Sequence, residues 1–437
     1  MAKNTNTEKR INFASNVPDL LYRQAGGRCS VPRCTNPTMG PYYDGKGAVN
    51  LGIACHIYSA SKDGPRGWGN KDEAFIKSEA NGLWCCATHG NLIDKKNGKD
   101  YPSSQLFAWK ALAEARVLKQ INDSPSPLGW VEAVEFIRFS PKIRLPKVQL
   151  SRCTLLWSAT NGTGKSALMQ LAASISDASF AERFLRDAKN SPADEGVPSR
   201  FAGKVIYSTV DTLSKVVQLE FTADELVRRI GSATCLLPPG DVAFIYCESK
   251  SLTRRNGEDD LDLLMRVLSL DKSALLAIAR LSNGVLMAGH FKFIHAEEDV
   301  EDETCDEPRK RIKEDGSPYL ELFFQKSNST FFTSYEGLSG SEKTRLVLDL
   351  FISKAREVAK ERLTLLMLDD IVGTLDDGNF GYLLEALAKE SFQSLVTVTP
   401  MKDKSFLIVD GGAARLVDEI RFSEWRVATL PASLTPA

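Results

Sequence analysis

No run in this chain of 437 residues approaches the roughly 20 consecutive apolar residues that a membrane helix needs, so no membrane span is expected. The opening residues, Met1 to Ala14, are polar and lack the apolar core of a secretory signal, which predicts a cytoplasmic protein. No repeat of 20–50 residues is visible and no heptad pattern persists, so a solenoid or an extended coiled coil is not expected. A disulfide framework is missing too. The nine cysteines are an odd number, five of them lie in the first 86 residues, and Cys153, Cys235, Cys247 and Cys305 are far apart. That spread suggests a reducing compartment and one metal-binding cluster. Net charge is only −1, but residues 1–120 hold 17 Lys and Arg against 10 Asp and Glu, and the remainder 38 against 46. A basic module joined to an acidic one is a weak hint that the first faces a polyanion, and on charge alone two solvated surfaces are the preferred reading.

What is present reads as an ordinary globular protein of two or three domains, with 43% hydrophobic and 25% charged residues. The first module spans residues 1–121 and ends in an expected helix from Ser103 to Ile121. Ser103 and Ser104 can cap this helix, and Leu106, Trp109, Leu112, Ala113 and Val117 form its apolar side. Residues 122–129 are rich in turn formers and read as a linker. From Trp130 to the end, residues 130–437, strands alternate with helices, the pattern of an α/β domain. Residues 296–318 are densely charged and separate two strand-like runs, Phe291–Ile294 and Tyr319–Phe324, as a solvated hairpin loop would.

Cysteine spacing carries the first strong signal. Cys29 and Cys34 form a C-x4-C pair on a turn, and Cys86 with His89 forms a C-x2-H pair. Two such pairs supply four soft ligands, enough to close a tetrahedral Zn²⁺ site. A module of this size gains folding free energy from such a staple. Between and after the pairs stand Ala54-Cys55-His56-Ile57, Gly64-Pro65-Arg66, Asn81-Gly82-Leu83-Trp84 and Ile93-Asp94. This order resembles the HNH endonuclease family, the ββα-metal fold, in its zinc-knuckle branch, over roughly residues 20–120. The resemblance implies that His56 is the general base that takes a proton from water, and that Asn81 holds the loop positioning it. It also implies a divalent metal, Mg²⁺ or Mn²⁺, at the phosphodiester. Two positions depart from the family: Cys55 stands where many members place a metal-binding carboxylate or histidine, and Gly90 replaces the last histidine. The ligands of the catalytic metal are therefore not readable. His89 could serve that metal instead, with Cys85 and Cys86 both on zinc. The set Cys29, Cys34, Cys86 and His89 is preferred because it keeps the family's spacing from Trp84 to Ile93-Asp94.

The second strong signal is an apolar strand, Leu155–Trp157, running into Asn161-Gly162-Thr163-Gly164-Lys165-Ser166 and then a helix. This is the P-loop layout: backbone N–H groups cradle phosphates, Lys165 reaches the β- and γ-phosphates and Ser166 ligates Mg²⁺. The first glycine of the usual motif is Ala159 here. Leu363–Leu368 is a buried strand ending in Asp369 and Asp370, with Asp369 expected to hold Mg²⁺ and Asp370 to polarise the attacking water. Leu338-Ser339-Gly340-Ser341-Glu342 opens a helix, and Gly373-Thr374-Leu375-Asp376 follows the carboxylates. With these four motifs in order, residues 130–425 resemble the ABC-type ATPases, and within them the SMC and double-strand-break-repair branch. The resemblance implies a head-to-tail homodimer. ATP would lie between the P-loop of one chain and the signature Ser339, Gly340 and Glu342 of the other, with Asp376 in the D-loop. The glutamate usual after the Walker B aspartate is Asp370, and Pro400 stands at the switch-histidine position, which predicts slow hydrolysis and ATP acting more as a switch than as fuel. The spacer between P-loop and signature fits a short helical lobe around Leu261–Leu281. The Q-loop residue is not identifiable.

The expected architecture is thus multidomain: an α+β zinc-knuckle ββα-metal (HNH) finger, then an α/β P-loop NTPase of ABC/SMC type. The cofactors implied are ATP, Mg²⁺, structural Zn²⁺ and a divalent metal at the nuclease site. The partners implied are DNA and a second copy of the chain, and a higher oligomer or an accessory subunit is compatible. The pairing of domains resembles bacterial defence effectors, which implies an ATP-gated endonuclease acting on phage or plasmid DNA. The alternative is an ATP-dependent clamp whose finger binds DNA without cutting, or a repair ATPase.

Overall fold

The computed structural model describes residues 10–122, 127–138, 147–160, 162–189, 201–222, 225–282, 284–297 and 309–430. Asn161, expected in the phosphate loop, and Cys305 lie outside the described residues. No helix among the described residues is long and apolar enough to cross a membrane.

In the first module, strands Gly52–His56 and Gly82–Cys86 pair antiparallel, with Ile53 opposite Cys85 and His56 opposite Gly82. Helix Ala87–Leu92 follows directly, giving a ββα order. Helix Val17–Gln24 packs on the hairpin so closely that a Cβ on Gly82 would lie 2.3 Å from a Leu21 methyl. The long helix runs from Ser103 to Asn122, one residue beyond expectation. Ser103 and Ser104 do not cap it as expected, because both already lie within it. The cap is the Glu424 carboxylate from the far end of the chain, which accepts from the Ser104 N–H at 3.1 Å and the Ser103 hydroxyl at 3.2 Å. A carboxylate there satisfies an orphan donor and complements the helix dipole.

The second part centres on a parallel sheet of five strands. In spatial order these are Val242–Glu248, Leu363–Asp369, Gln393–Thr397, Cys153–Trp157 and Trp425–Thr429. Their near-continuous apolar runs follow from burial on both faces. Leu155, Ile245, Leu366 and Leu368 point into one core, with helices Gly340–Ala359 and Asp377–Leu387. Leu156, Phe244, Tyr246, Leu365 and Met367 point into the other, with helix Lys165–Ala173. An antiparallel sheet of six strands closes that second core.

The lobe between P-loop and signature is not purely helical. Helices Asp260–Leu268 and Lys272–Leu281 pack with an antiparallel sheet of Gly289–His295, Leu320–Lys326 and Thr333–Ser334. Alternating side chains such as Phe291, Phe293, Leu322 and Phe324 explain the strands. Both expected strand-like runs thus form strands, and they pair with each other. Buried Asp349, on the signature helix, anchors the lobe: its carboxylate accepts backbone N–H groups of Val285, Leu286 and Met287, each at 2.8 Å.

The two parts share a boundary rather than hanging on a tether. Trp109 meets Trp130 edge to face at 6.0 Å, and Trp130 and Val210 belong to the first module's own core. Arg33, between the two cysteines of the first knuckle, pairs with buried Glu132. Arg116 donates twice to the Thr209 carbonyl, at 3.1 and 3.2 Å.

Candidate functional site

The knuckle donors converge. The ligand atoms of Cys29, Cys34, Cys86 and His89 all lie within 4.8 Å of one another. Cys34 Sγ is 3.9 Å from Cys86 Sγ, Cys29 Sγ is 3.6 Å from His89 Nδ1, and Cys86 Sγ is 3.2 Å from the same nitrogen. A tetrahedral Zn²⁺ with bonds of about 2.3 Å to sulfur and 2.0–2.1 Å to nitrogen puts its ligands roughly 3.5–3.8 Å apart. The residues present therefore fit zinc, and a 3.9 Å sulfur pair is no disulfide. The Cys29 thiol is pushed down, first by the Cys85 side chain and then by His89, the direction that favours the thiolate a metal needs. Burial pushes Cys34 up to about 12, while His89 is pushed up to about 9, chiefly by Cys29. Cys85 is fully buried on the strand beside Cys86, and the donor group includes Cys86 and His89 rather than Cys85.

Next to this cluster, His56 ends the first hairpin strand and lines a cavity of about 410 Å³ with Arg10, Cys55, Arg66 and Asp94. Asn81 is fully buried. Its amide accepts from the Tyr58 N–H at 2.7 Å and donates to the Tyr58 carbonyl at 2.9 Å, while its own carbonyl accepts from Ile57 at 2.8 Å. It clamps the two residues after His56. The His56 ring stacks on Phe13 at 3.7 Å, and its buried Nε2 has no partner among the described residues. Burial first, then the charge of Arg10, pushes His56 down to about 4. The imidazole is therefore neutral at ordinary pH, with a free lone pair, and is a weaker base than a solvent-exposed histidine.

A divalent cation does not fit this cavity. Among the described residues Asp94 is its one carboxylate, and it is paired with Arg66 at 2.6 Å. A Cβ on Gly90 would lie 2.9 Å from Cys55 Sγ, so the thiol occupies the room beside Gly90 that a larger side chain there would need. Among the described residues, no second group of three or more metal-binding side chains accompanies the zinc cluster. Arg66 is fixed as a strut, donating to Ile57 O at 2.6 Å and Ile93 O at 2.8 Å.

The nucleotide motifs meet at the carboxyl ends of the parallel strands. Gly162 and Gly164 have φ of +79° and +91°, and the Cβ direction of Gly162 is open, as a loop approached closely by phosphate requires. Gly164 caps helix Lys165–Ala173, whose N-terminus faces out of that loop. Lys165 Nζ donates to Ser158 Oγ at 2.5 Å, and Thr163 Oγ1 donates to the same oxygen at 2.8 Å. Burial pushes Lys165 down, against the opposing charges of Asp369, Asp370 and Asp403. Ser166 follows in the same helix turn, half-buried.

Asp369 has the strand parity of Leu365 and Met367, which turns it to the face covered by the P-loop helix. It is buried, accepts from the Tyr246 hydroxyl at 2.8 Å, and accepts from Thr397 Oγ1 at 3.2 Å. Asp370 sits at φ +56°, a left-handed conformation unusual outside glycine, with its N–H on Thr397 Oγ1 at 2.8 Å. Burial and the Asp369 charge push Asp370 up. Three residues here escaped the sequence reading: Tyr246, Thr397 and Glu248, whose carboxylate reaches Tyr246 OH at 3.1 Å and Gln170 Nε2 at 3.3 Å. Glu248 had a signal, an acid ending an apolar run paired in register with Asp369. Tyr246 had none.

Ser339 caps helix Gly340–Ala359 in a reciprocal box with Glu342, whose carboxylate Lys326 holds down at about 2. Ser339 and Gly340 are exposed, and nothing lies within 4 Å of a Cβ built on Gly340. Asp376 is exposed and caps helix Asp377–Leu387. Helix Pro400–Phe406 begins at the switch position.

No family model and no curated protein matches the chain. Among solved structures, it is similar to an SMC head bound to the C-terminal winged-helix domain of ScpA, with 15% identity, 66% of this chain and 98% of that one covered, and a TM-score of 0.40. An SMC head domain from Thermotoga maritima gives 14% identity, 66% and 98% coverage, and 0.37. The recombination mediator protein RecF, in its ATPrS form, gives 15% identity, 63% and 94% coverage, and 0.41. Likenesses this distant say nothing about substrate.

Proposed function

We propose that the chain is an ATP-gated DNA endonuclease in which nucleotide pairs two copies and so brings two zinc-knuckle modules to one duplex. The observation that carries the ATP reading is the convergence of Lys165, Asp369 and Asp370 beneath an open glycine loop. Gly162, Thr163, Gly164 and Lys165 would hold the phosphates, with Asn161 assigned there by motif, and Ser166 and Asp369 would hold Mg²⁺. Mg·ATP supplies a charged phosphate chain that one protomer alone grips on one side. Ser339, Gly340 and Glu342 present an exposed helix N-terminus, suited to grip the other side from a second chain, with Asp376 assigned to the D-loop by motif. Asp370 would orient water, and its short side chain with Pro400 at the switch position favours a slow turnover.

For cutting, the support is His56: neutral, clamped by Asn81, with an unpartnered Nε2 beside a cavity. Such a nitrogen can take the proton of an attacking water. No step is assigned to a metal there, since the lining residues do not make a cation site. One observation favours a second reading. With Cys55 filling the room beside Gly90, the module can grip DNA without cutting it, as part of an ATP-dependent clamp or a repair ATPase. Defence against phage or plasmid DNA is proposed from the pairing of the two modules. Nicking of supercoiled plasmid, wild type against His56→Ala, separates the readings: loss of nicking in the variant supports cutting by His56, and a wild type that binds plasmid without nicking it supports the clamp.

A further inference from the structure

Strand Gly289–His295 is the edge of the lobe's three-stranded sheet. Its inner neighbour fixes which backbone groups face outward. Leu320 and Leu322 give their N–H groups to Asp259 and Asp260 at 2.8 and 2.7 Å, and the Leu322 carbonyl accepts from Tyr335 at 2.7 Å. Leu322 lies opposite Phe293 and Leu320 opposite His295, so these are non-hydrogen-bonded pairs. The N–H and C=O groups of Phe291, Phe293 and His295 therefore point away from the sheet, and the backbone N–H groups of Phe291 and Phe293 have no partner among the described residues. Open edges of this length are templates for another strand.

Beside the edge runs a groove of about 540 Å³. Its floor is apolar, with Leu261, Leu276 and Ala279 beside Phe291 and Phe293. Its rim holds Lys272, Arg280, His290 and Lys292, and among the described residues no acidic one lines it. Lys272 and Arg280 are exposed and take part in none of the ion pairs among the described residues. Lys292 rests 3.9 Å over the Phe332 ring and keeps its charge at the surface.

We infer that this edge takes up an extended segment of a partner protein in which aliphatic and acidic residues alternate. Strand addition would meet the open backbone groups, aliphatic side chains would enter the groove, and acidic ones would lie against the four basic residues. A second copy of the same strand fits poorly, because symmetric antiparallel pairing would bring like charges such as Lys292 together. A polynucleotide could match the rim charges but not the strand edge, since it carries no peptide ladder.

The test uses the full-length chain and a fluorescein-labelled peptide of four Val-Glu repeats, read by anisotropy. Binding is expected, weakened at least tenfold by Lys272→Glu with Arg280→Glu, and similarly by Phe293→Pro. That proline deletes an outward N–H while leaving the bonds to the inner strand intact. Retained nucleotide binding and circular dichroism show that the variants are folded. If Phe293→Pro does not fold, the charge-reversal pair carries the test alone. The inference is overturned if the wild type does not bind this peptide, if a Val-Lys repeat binds equally, or if the folded variants bind as the wild type does. It is also overturned if a dT20 strand, rather than the peptide, is the probe whose binding these variants lose.

Discussion

Tyr246 donates its hydroxyl to Asp369 at 2.8 Å while its oxygen lies 3.1 Å from Glu248, so a single phenol proton faces two carboxylates. Burial and those two charges push the Tyr246 phenol up and keep it protonated. The hydroxyl thus fixes the orientation of the residue proposed to hold Mg²⁺. Tyr246→Phe should weaken Mg·ATP binding about tenfold, since a hydrogen bond to a charged group is worth about 1.5–3 kcal/mol. Isothermal titration at limiting Mg²⁺ checks this. Unchanged affinity would remove Tyr246 from the site.

Zinc should be present at about one ion per chain, as a closed four-ligand site requires. Cys29→Ser or Cys86→Ser should abolish it. Because Trp109 packs on Trp130 and Arg33 pairs with Glu132, the loss should also lower the melting temperature of the second, α/β part, not only of the first module. Metal analysis with calorimetry checks both. Zinc retained in both variants contradicts the ligand set.

How legible this was depends on the range of the interaction. Cys29, Cys34, Cys86 and His89 were readable because ligands repeat at short spacing. The P-loop and the Asp369-Asp370 pair were readable because each is a strand ending in a fixed motif. Glu424 capping the helix at Ser104 was not, since 320 residues separate them and any acid would look alike in sequence. The shared Trp109–Trp130 boundary was hidden for the same reason: each tryptophan reads as core of its own domain. The lobe was expected to be helical because its helices carry a clear 3.6-residue pattern, although the flanking strand-like runs were visible. Tyr246 was indistinguishable from its apolar neighbours in a buried strand.

Acid should expose His56. Its pKa in the fold, about 4, lies below the free value of about 6.5, so the unfolded chain binds the proton first as pH falls. The stability it contributes is complete above about pH 6.5 and is lost between there and about pH 4. His56→Phe should therefore melt relatively better at pH 5 than at pH 7.5, compared with wild type. A constant difference between the two proteins across that range would show that His56 is not held neutral by burial.

Nucleotide trapping should outweigh hydrolysis. Asp370→Ala leaves Lys165, Ser166 and Asp369 in place and should increase the dimer seen by light scattering with ATP. Lys165→Ala removes a phosphate contact and should weaken ATP binding about tenfold or more. Ser339→Arg should bind ATP as a monomer yet fail to pair, since Ser339 caps an exposed helix end that the proposed sandwich sets against the other chain's nucleotide. ATP-induced dimer in Ser339→Arg at the wild-type level would exclude the sandwich.

The most direct measurement is nicking of supercoiled plasmid by the full-length protein, with and without ATP, for wild type, His56→Ala and Ser339→Arg. ATP-stimulated nicking is predicted for wild type. His56→Ala should bind ATP and dimerise but not cut, and Ser339→Arg should lose the stimulation. Equal cutting by His56→Ala, or cutting by wild type that ignores ATP, would contradict an ATP-gated nuclease.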